Sequence, residues 1–406
     1  MMPAVIDLTD VDAFVRGDYQ PWFSWLREND PVHWQESADG SGFWALTRHV
    51  DVSSAYLDHG TFRSFGGAML GGSYRNEADT AAGRMLVSSD PPRHRLLRQQ
   101  MHGAFVPQML ASVAARVSVL VEAAIARAVH DGGCDFATQI ATELPAGALM
   151  SMLDVGHGDA HSLIGMTRRM IGFRDSSYVQ TSGDDRLRLA SIQSEIFDFF
   201  YDLISMRRKR PGSDLVSMLL TAELNGRRLT EEDILYNCMN VAVGGNETTS
   251  HTASSGMVAL AENPGQYARL LKDPTLLDVA INEILRWSST NAYVQRVAAR
   301  DVEVAGRTIR QGDAVTLWNV SANYDPEQFV DPRLFDVGRA PNRHLSYGSG
   351  VHRCIGAMLA HLELSILFRK LTADGLRWEV SGSVRRVRSN FILGISSLPI
   401  RITASS

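Results

Sequence analysis

The chain is short of cysteine. Its 406 residues include three, Cys134, Cys238 and Cys354, with no close spacing. That argues against a disulfide framework and a multi-cysteine zinc site, and it suits a reducing cytoplasm. It also leaves no cysteine cluster for an iron–sulfur centre. A Gly-x-Gly-x-x-Gly dinucleotide signature is missing as well. Charge of one sign is scarce: 40 Lys and Arg against 45 Asp and Glu give a formal net charge of −5. No basic field therefore points to nucleic acid. The single basic run, Arg207, Arg208, Lys209 and Arg210, precedes Pro211-Gly212 and is expected to be a solvated helix end. Residues 1–19 contain Asp7, Asp10, Asp12 and Arg16 and no signal-peptide apolar stretch. No later segment reads as a long uncharged apolar run, so no spanning helix is expected.

Apolar residues are plentiful, at 45%, enough for a large core. Helical periodicity dominates, over 108–130, 190–209, 231–262, 274–287 and 355–371. Strand-like alternation is confined to 31–34, 42–47, 294–310 and 391–402. With no repeat, low-complexity linker or composition break, one mainly helical domain with small sheets is expected.

Chemistry concentrates in two places. The first is Tyr347-Gly348-Ser349-Gly350-Val351-His352-Arg353-Cys354-Ile355-Gly356, just before an apolar helix-forming run. Cys354 thus stands at a helix mouth, where unpaired N–H groups and the positive end of the dipole favour an anion. A lowered thiol pKa is expected there. Such a thiolate is either a nucleophile, with His352 as a possible base two residues away, or a metal ligand. The second place is a long helix, capped by Thr230 with Asp233 and ended at Asn263-Pro264-Gly265. Its middle reads Gly244-Gly245-Asn246-Glu247-Thr248-Thr249-Ser250. Each glycine costs about 1 kcal/mol in a helix interior, and a buried acid needs partners. The pattern suits a flat group packed on the backbone beside a proton-handling notch. Close helix crossing would account for either glycine alone.

Together these features resemble the cytochrome P450 family. The cysteine loop is similar to its haem-binding signature, with Tyr347 in place of the usual phenylalanine. The helix segment resembles the oxygen-activating motif. Glu283-Ile284-Leu285-Arg286 matches the family's Glu-x-x-Arg, and Asp331 to Arg339 resembles its meander. Asp90-Pro91-Pro92-Arg93-His94 through Arg98 is similar to the Asp-Pro-Pro-x-His-x-x-x-Arg run of soluble bacterial members. The resemblance implies a single P450 domain over 1–406, with 1–20 as a lead-in and haem b between the long central helix and the cysteine-loop helix.

By that resemblance Cys354 is the haem-iron ligand. Gly244, Tyr347, Gly348, Gly356 and Ala357 border the haem. His94, Arg98, Arg296 and His352 hold its propionates, and His344 lies near it. Thr248 and Glu247 deliver protons to dioxygen. Glu283, Arg286 and Arg339 form a buried structural network. Tyr324 stands where bacterial members often have arginine, and a changed surface contact is expected. Cys134 and Cys238 are expected to be apolar fillers.

Substrate is expected against segments 68–87, 164–178, 239–246, 289–294 and 391–394, of which the first two read as irregular lids. Named candidates are Leu86, Val87, Asn240, Val243, Asn246, Ala292, Tyr293, Phe391 and Ile392. The implied activity is that of a cytoplasmic, monomeric monooxygenase. It would hydroxylate or epoxidise a small or medium-sized molecule, free or carrier-bound, in bacterial secondary metabolism. Electrons would come from a separate ferredoxin and its reductase, with Arg93, Arg95, Arg343 and Arg353 as a docking patch. Oxidative coupling or ring closure, and a haem-thiolate gas or redox sensor, are the alternatives.

Overall fold

The computed structural model describes residues 6–36, 40–70, 80–180 and 183–404. Its axis is the central helix Glu231–Glu262, 32 residues long. At about 1.5 Å per residue this spans roughly 48 Å. The helix starts at a reciprocal cap: Asp233 N–H donates to Thr230 Oγ1 at 3.1 Å, and Thr230 N–H donates to the Asp233 carboxylate at 3.2 Å. It stops at Asn263, where Pro264 opens the next helix.

The main hydrophobic core wraps this helix. Into it pack Pro107–His130, Glu143–Leu153, His157–Ile171, Asp185–Lys209, Leu277–Ser288 and the cysteine-loop helix Ala357–Ala373. By length and composition Pro107–His130 could cross a membrane, contrary to the expectation that no segment is apolar enough. Its Val113, Val117, Val121 and Ile125 are instead buried in the core. Arg207 is not the solvated end expected of it. It is buried, paired with Asp214 at 2.8 Å, and donates to the carbonyls of Leu153 and Asp154.

A five-stranded sheet lies beside the helices, ordered Val32–Glu36, Gly42–Leu46, Ala314–Leu317, Val294–Ala298, Phe62–Arg63. The Gly42–Leu46 and Ala314–Leu317 pair is parallel, with Val315 opposite Trp44, and its neighbours are antiparallel. Ala314–Leu317 is covered along its whole length, so it has no alternation for the sequence to show. Segment 164–178 was expected to be irregular, but it continues helix His157–Ile171 as far as Ile171. Of segment 68–87, residues 71–79 lie outside the described residues.

Candidate active site

The cysteine loop is shaped by glycine. Gly348 and Gly350 have φ of +63° and +66°, values that L side chains rarely adopt. A Cβ at Gly350 would also lie 2.6 Å from the Tyr56 carbonyl oxygen. The turn is closed by Cys354 N–H donating to the Tyr347 carbonyl at 2.8 Å. Cys354 is exposed, yet nearby atoms desolvate its sulfur enough to push the thiol pKa up. A hydrogen bond from Gly356 N–H and the Arg98 and Arg353 guanidiniums oppose that shift. The expected lowering is therefore reversed. The helix mouth alone does not make the thiolate, and a bound metal ion would.

Four nitrogen-bearing side chains gather beside the loop. The His94 and His352 rings are 4.1 Å apart, and His352 Nε2 lies 3.0 Å from Ser64 Oγ. Arg296 is buried over the Tyr56 ring and donates to the Gln295 carbonyl at 2.6 Å. None of the four forms an ion pair among the described residues. Burial and the surrounding positive charge push the His94 pKa down to about 4 and that of His352 down to about 2. Burial lowers Arg98 and Arg296 as well. Both ring nitrogens of His94 are buried without a partner among the described residues. Such a cluster is matched by a ligand carrying two anionic groups.

On the central helix, Gly244 and Gly245 are exposed, and a Cβ at either would meet nothing within 4 Å among the described residues. Thr248 Oγ1 donates to the Gly244 carbonyl at 2.8 Å. Its proton is thus committed, and its lone pairs remain free to accept. Glu247 and Asn246, by contrast, are buried. Thr167 Oγ1 donates to Glu247 Oε1 at 3.0 Å, and His251 Nε2 lies 3.1 Å from Oε2. Thr249 hydrogen-bonds Glu363 of the cysteine-loop helix, which joins the two motifs. Thr252 meets Thr290 at 2.9 Å.

The expected substrate contacts divide. Val87, Asn240, Val243 and Phe391 keep exposed surface. Leu86 and Ile392 are almost covered, at 3% each. Three placements are corrected. Asn246 is 1% exposed and donates to Thr167 at 3.3 Å. Ala292 and Tyr293 sit in a second core, with the Tyr293 ring 4.7 Å from Trp318. These three are buried against protein neighbours.

Glu283 and Arg286 are wholly buried and joined through two hydrogen bonds of 2.8 Å. Arg339 Nε reaches the same carboxylate at 3.1 Å. His344 faces Asn282 at 3.3 Å, with its ring 5.7 Å from Tyr347. Burial lowers its pKa to about 4. The Tyr347 hydroxyl is buried without a partner among the described residues, and burial beside Cys354 raises its pKa. Tyr324 is not at the surface as expected. It is buried, and its hydroxyl donates to the Trp287 carbonyl at 2.7 Å. Of the arginines expected to form a docking patch, Arg93 is engaged by Asp233 at 2.7 Å, while Arg95, Arg343 and Arg353 are exposed. Cys238 is buried as expected, and Cys134 is half-buried.

Residues 45–372 match the family model described as Cytochrome P450. The chain belongs to the cytochrome P450 family. Linalool 8-monooxygenase of Pseudomonas putida is 33% identical over 404 residues, covering 97% of this chain and 98% of that one. The Mycobacterium marinum P450 CYP268A2, solved with pseudoionone, superposes with a TM-score of 0.88 at 30% identity, covering 98% of this chain and 99% of that one. P450 OxyD, involved in the biosynthesis of vancomycin-type antibiotics, gives 0.87 at 33% identity, covering 99% and 100%. The enzyme is a P450 monooxygenase, and members of this family bind haem. The residues present fit that cofactor. A glycine face suits a flat ring, two arginines and two histidines that form no ion pair among the described residues suit two propionates, and a thiol at a helix mouth suits the iron.

Reasoning from sequence missed Thr167, His251 and Glu363 in this P450. His251 lies four residues after Glu247, on the same helix face, and Glu363 interrupts an apolar run between Leu362 and Leu364. Both signals were available.

Proposed function

We propose that this P450 inserts one oxygen atom from dioxygen into a small or medium-sized organic substrate, by hydroxylation or epoxidation. The observation that carries this reading is the division of labour on one helix turn. Gly244, Gly245 and Thr248 keep exposed surface, while Glu247, about 100° round the helix from Thr248, is buried and held by His251 and Thr167. Bound haem supplies the binding and reductive activation of dioxygen. Cys354 holds the iron; His94, Arg98, Arg296 and His352 hold the propionates. Thr248 presents acceptor lone pairs toward the reacting side, and Glu247 stores the proton to be delivered. A sensor needs no such acid and alcohol pair.

The substrate class rests on the relatives. One is named for linalool and another was solved with pseudoionone, both small organic molecules. OxyD, in antibiotic biosynthesis, supports a tailoring role in bacterial secondary metabolism. A separate ferredoxin and reductase supply the electrons to a cytoplasmic, monomeric enzyme. Exposed Arg95, Arg343 and Arg353 give an acidic ferredoxin a docking surface.

Titrating the haem-loaded enzyme with a substrate library, while following the Soret band, identifies the ligand class. Turnover of that ligand under ¹⁸O₂ with ferredoxin and reductase should place one labelled atom in the product. A product carrying oxygen only from water, or ligand binding without any turnover, overturns the proposal.

A further inference from the structure

A second cluster of ligating side chains stands away from the haem residues. Glu143 opens helix Glu143–Leu153, and His157 and His161 lie on the first turns of helix His157–Ile171. Histidines four apart share one helix face, a spacing that suits a metal ion. Glu143 Oε2 lies 2.9 Å from His157 Nε2, Glu143 Oε1 lies 3.3 Å from His161 Nε2, and the two Nε2 atoms are 3.1 Å apart. All the ligand atoms fall within 4.8 Å of one another.

Hydrogen bonds alone cannot satisfy this triangle. An ionised carboxylate only accepts, and each neutral imidazole nitrogen either donates or accepts. If both Nε2 atoms carry protons, the rings donate to Glu143 but point N–H at N–H. If one is bare, its lone pair faces the carboxylate or the other lone pair. At most two of the three contacts are favourable at once. A central cation makes all three favourable, since each atom then offers it a lone pair. The spacing is close to that of a zinc site, where neighbouring ligand atoms stand roughly 3.3 Å apart, with Glu143 turning one oxygen to each ring.

We propose that Glu143, His157 and His161 form a binding site for a divalent cation of the zinc class, independent of the haem. Two imidazoles and one carboxylate suit zinc better than calcium or magnesium, which prefer all-oxygen ligands. The His157 and His161 side chains are 47% and 32% exposed, so the ion can enter and keep a solvent ligand, while Glu143, at 9%, anchors it. Asp159 in the first turn offsets the positive helix end beside the ion. Binding would fasten the base of helix His157–Ile171 to helix Glu143–Leu153 across the short turn at 154–156. The fastened helix is the one whose Thr167 touches Glu247.

The test is equilibrium dialysis of the haem-loaded enzyme against zinc chloride alone, with zinc and iron measured together. The wild type should hold about one zinc per iron and gain about 3 °C in Tm when free zinc exceeds Kd about 100-fold. The double variant H157Q/H161Q should bind zinc at least about tenfold more weakly and lose the shift in Tm. Its carbon monoxide spectrum should be unchanged. If the double variant fails that spectral check, His161→Gln and Glu143→Gln alone are read in its place. A wild type without stoichiometric zinc, or variants that bind it as tightly as the wild type, overturn the site.

Discussion

Glu247 Oε2 stands 3.1 Å from Nε2 of His251, one turn further along the central helix, and both side chains are sealed from solvent. Adjacent helical residues point about 100° apart. Glu247 and its neighbour Thr248 therefore address different sides of the helix. A proton stored on Glu247 reaches the Thr248 side only when the carboxylate leaves His251 and Thr167, or through ordered water.

Glu247→Gln should lower turnover by about 10²-fold, the lower end for general acid catalysis. Substrate affinity and the carbon monoxide spectrum should hardly change. His251→Phe leaves the acid in place but removes one of its anchors, so a loss of roughly tenfold is expected. Steady-state rates in light and heavy water check both, since proton delivery should grow more rate-limiting in the variants. Unchanged turnover in Glu247→Gln would remove the acid from the mechanism.

Thr248→Ala tests the alcohol. The hydroxyl donates to Gly244 at 2.8 Å and accepts from whatever lies on the exposed side. Without it, electrons should still be consumed but leave largely as hydrogen peroxide. The ratio of product to reductant should fall by about tenfold or more. A variant that keeps full coupling would contradict this role.

Arg286 tests how the cysteine loop is held. Its Nε and Nη2 clasp both Glu283 oxygens at 2.8 Å, and Nη1 donates to the carbonyls of Asn323 and Pro332. Arg286→Ala breaks the buried pair and leaves the Glu283 carboxylate with Arg339 as its remaining cationic partner, at a cost of about 3 kcal/mol, the lower end for breaking a buried pair. Arg286→Lys should fail nearly as badly, because an ammonium cannot reproduce the fork. Haem per protein, from the reduced carbon monoxide spectrum, should drop sharply in both. Full haem content in the lysine variant would show that charge alone suffices.

These motifs were legible because each is local. Thr230 with Asp233, Glu283 with Arg286, and the glycines around Cys354 all lie within one turn or loop. The unread elements lacked local signals. Helix Glu143–Leu153 is buried nearly all round, from Glu143 to Leu149, so it has no apolar stripe to reveal a 3.6-residue period. Gly158 and Gly165 interrupt the pattern of helix His157–Ile171. Ala292 and Tyr293 resembled pocket residues until Trp318 and Phe391, distant in sequence, covered them. The Cys354 thiol shows the same limit, since its crowding comes from tertiary neighbours and outweighs the helix mouth.

Glu363 offers a test that needs no substrate. It is buried on the cysteine-loop helix, with Thr249 as its hydrogen-bond partner. Burial pushes its pKa up to about 8 from 4.5, against the lowering effect of Thr249. The folded protein therefore keeps a proton that the unfolded chain releases above 4.5. Where the folded state binds more protons, stability falls as pH rises. The neutral carboxyl is fully favourable below pH 4.5, and its contribution is lost progressively up to about pH 8. Each unit of that shift corresponds to about 1.4 kcal/mol. Glu363→Gln keeps the shape and the Thr249 contact but cannot ionise. Its Tm should be close to that of the wild type near pH 5 and exceed it increasingly toward pH 8, with little further divergence above. Parallel Tm curves for the two proteins across that range would show that Glu363 is already ionised in the folded enzyme.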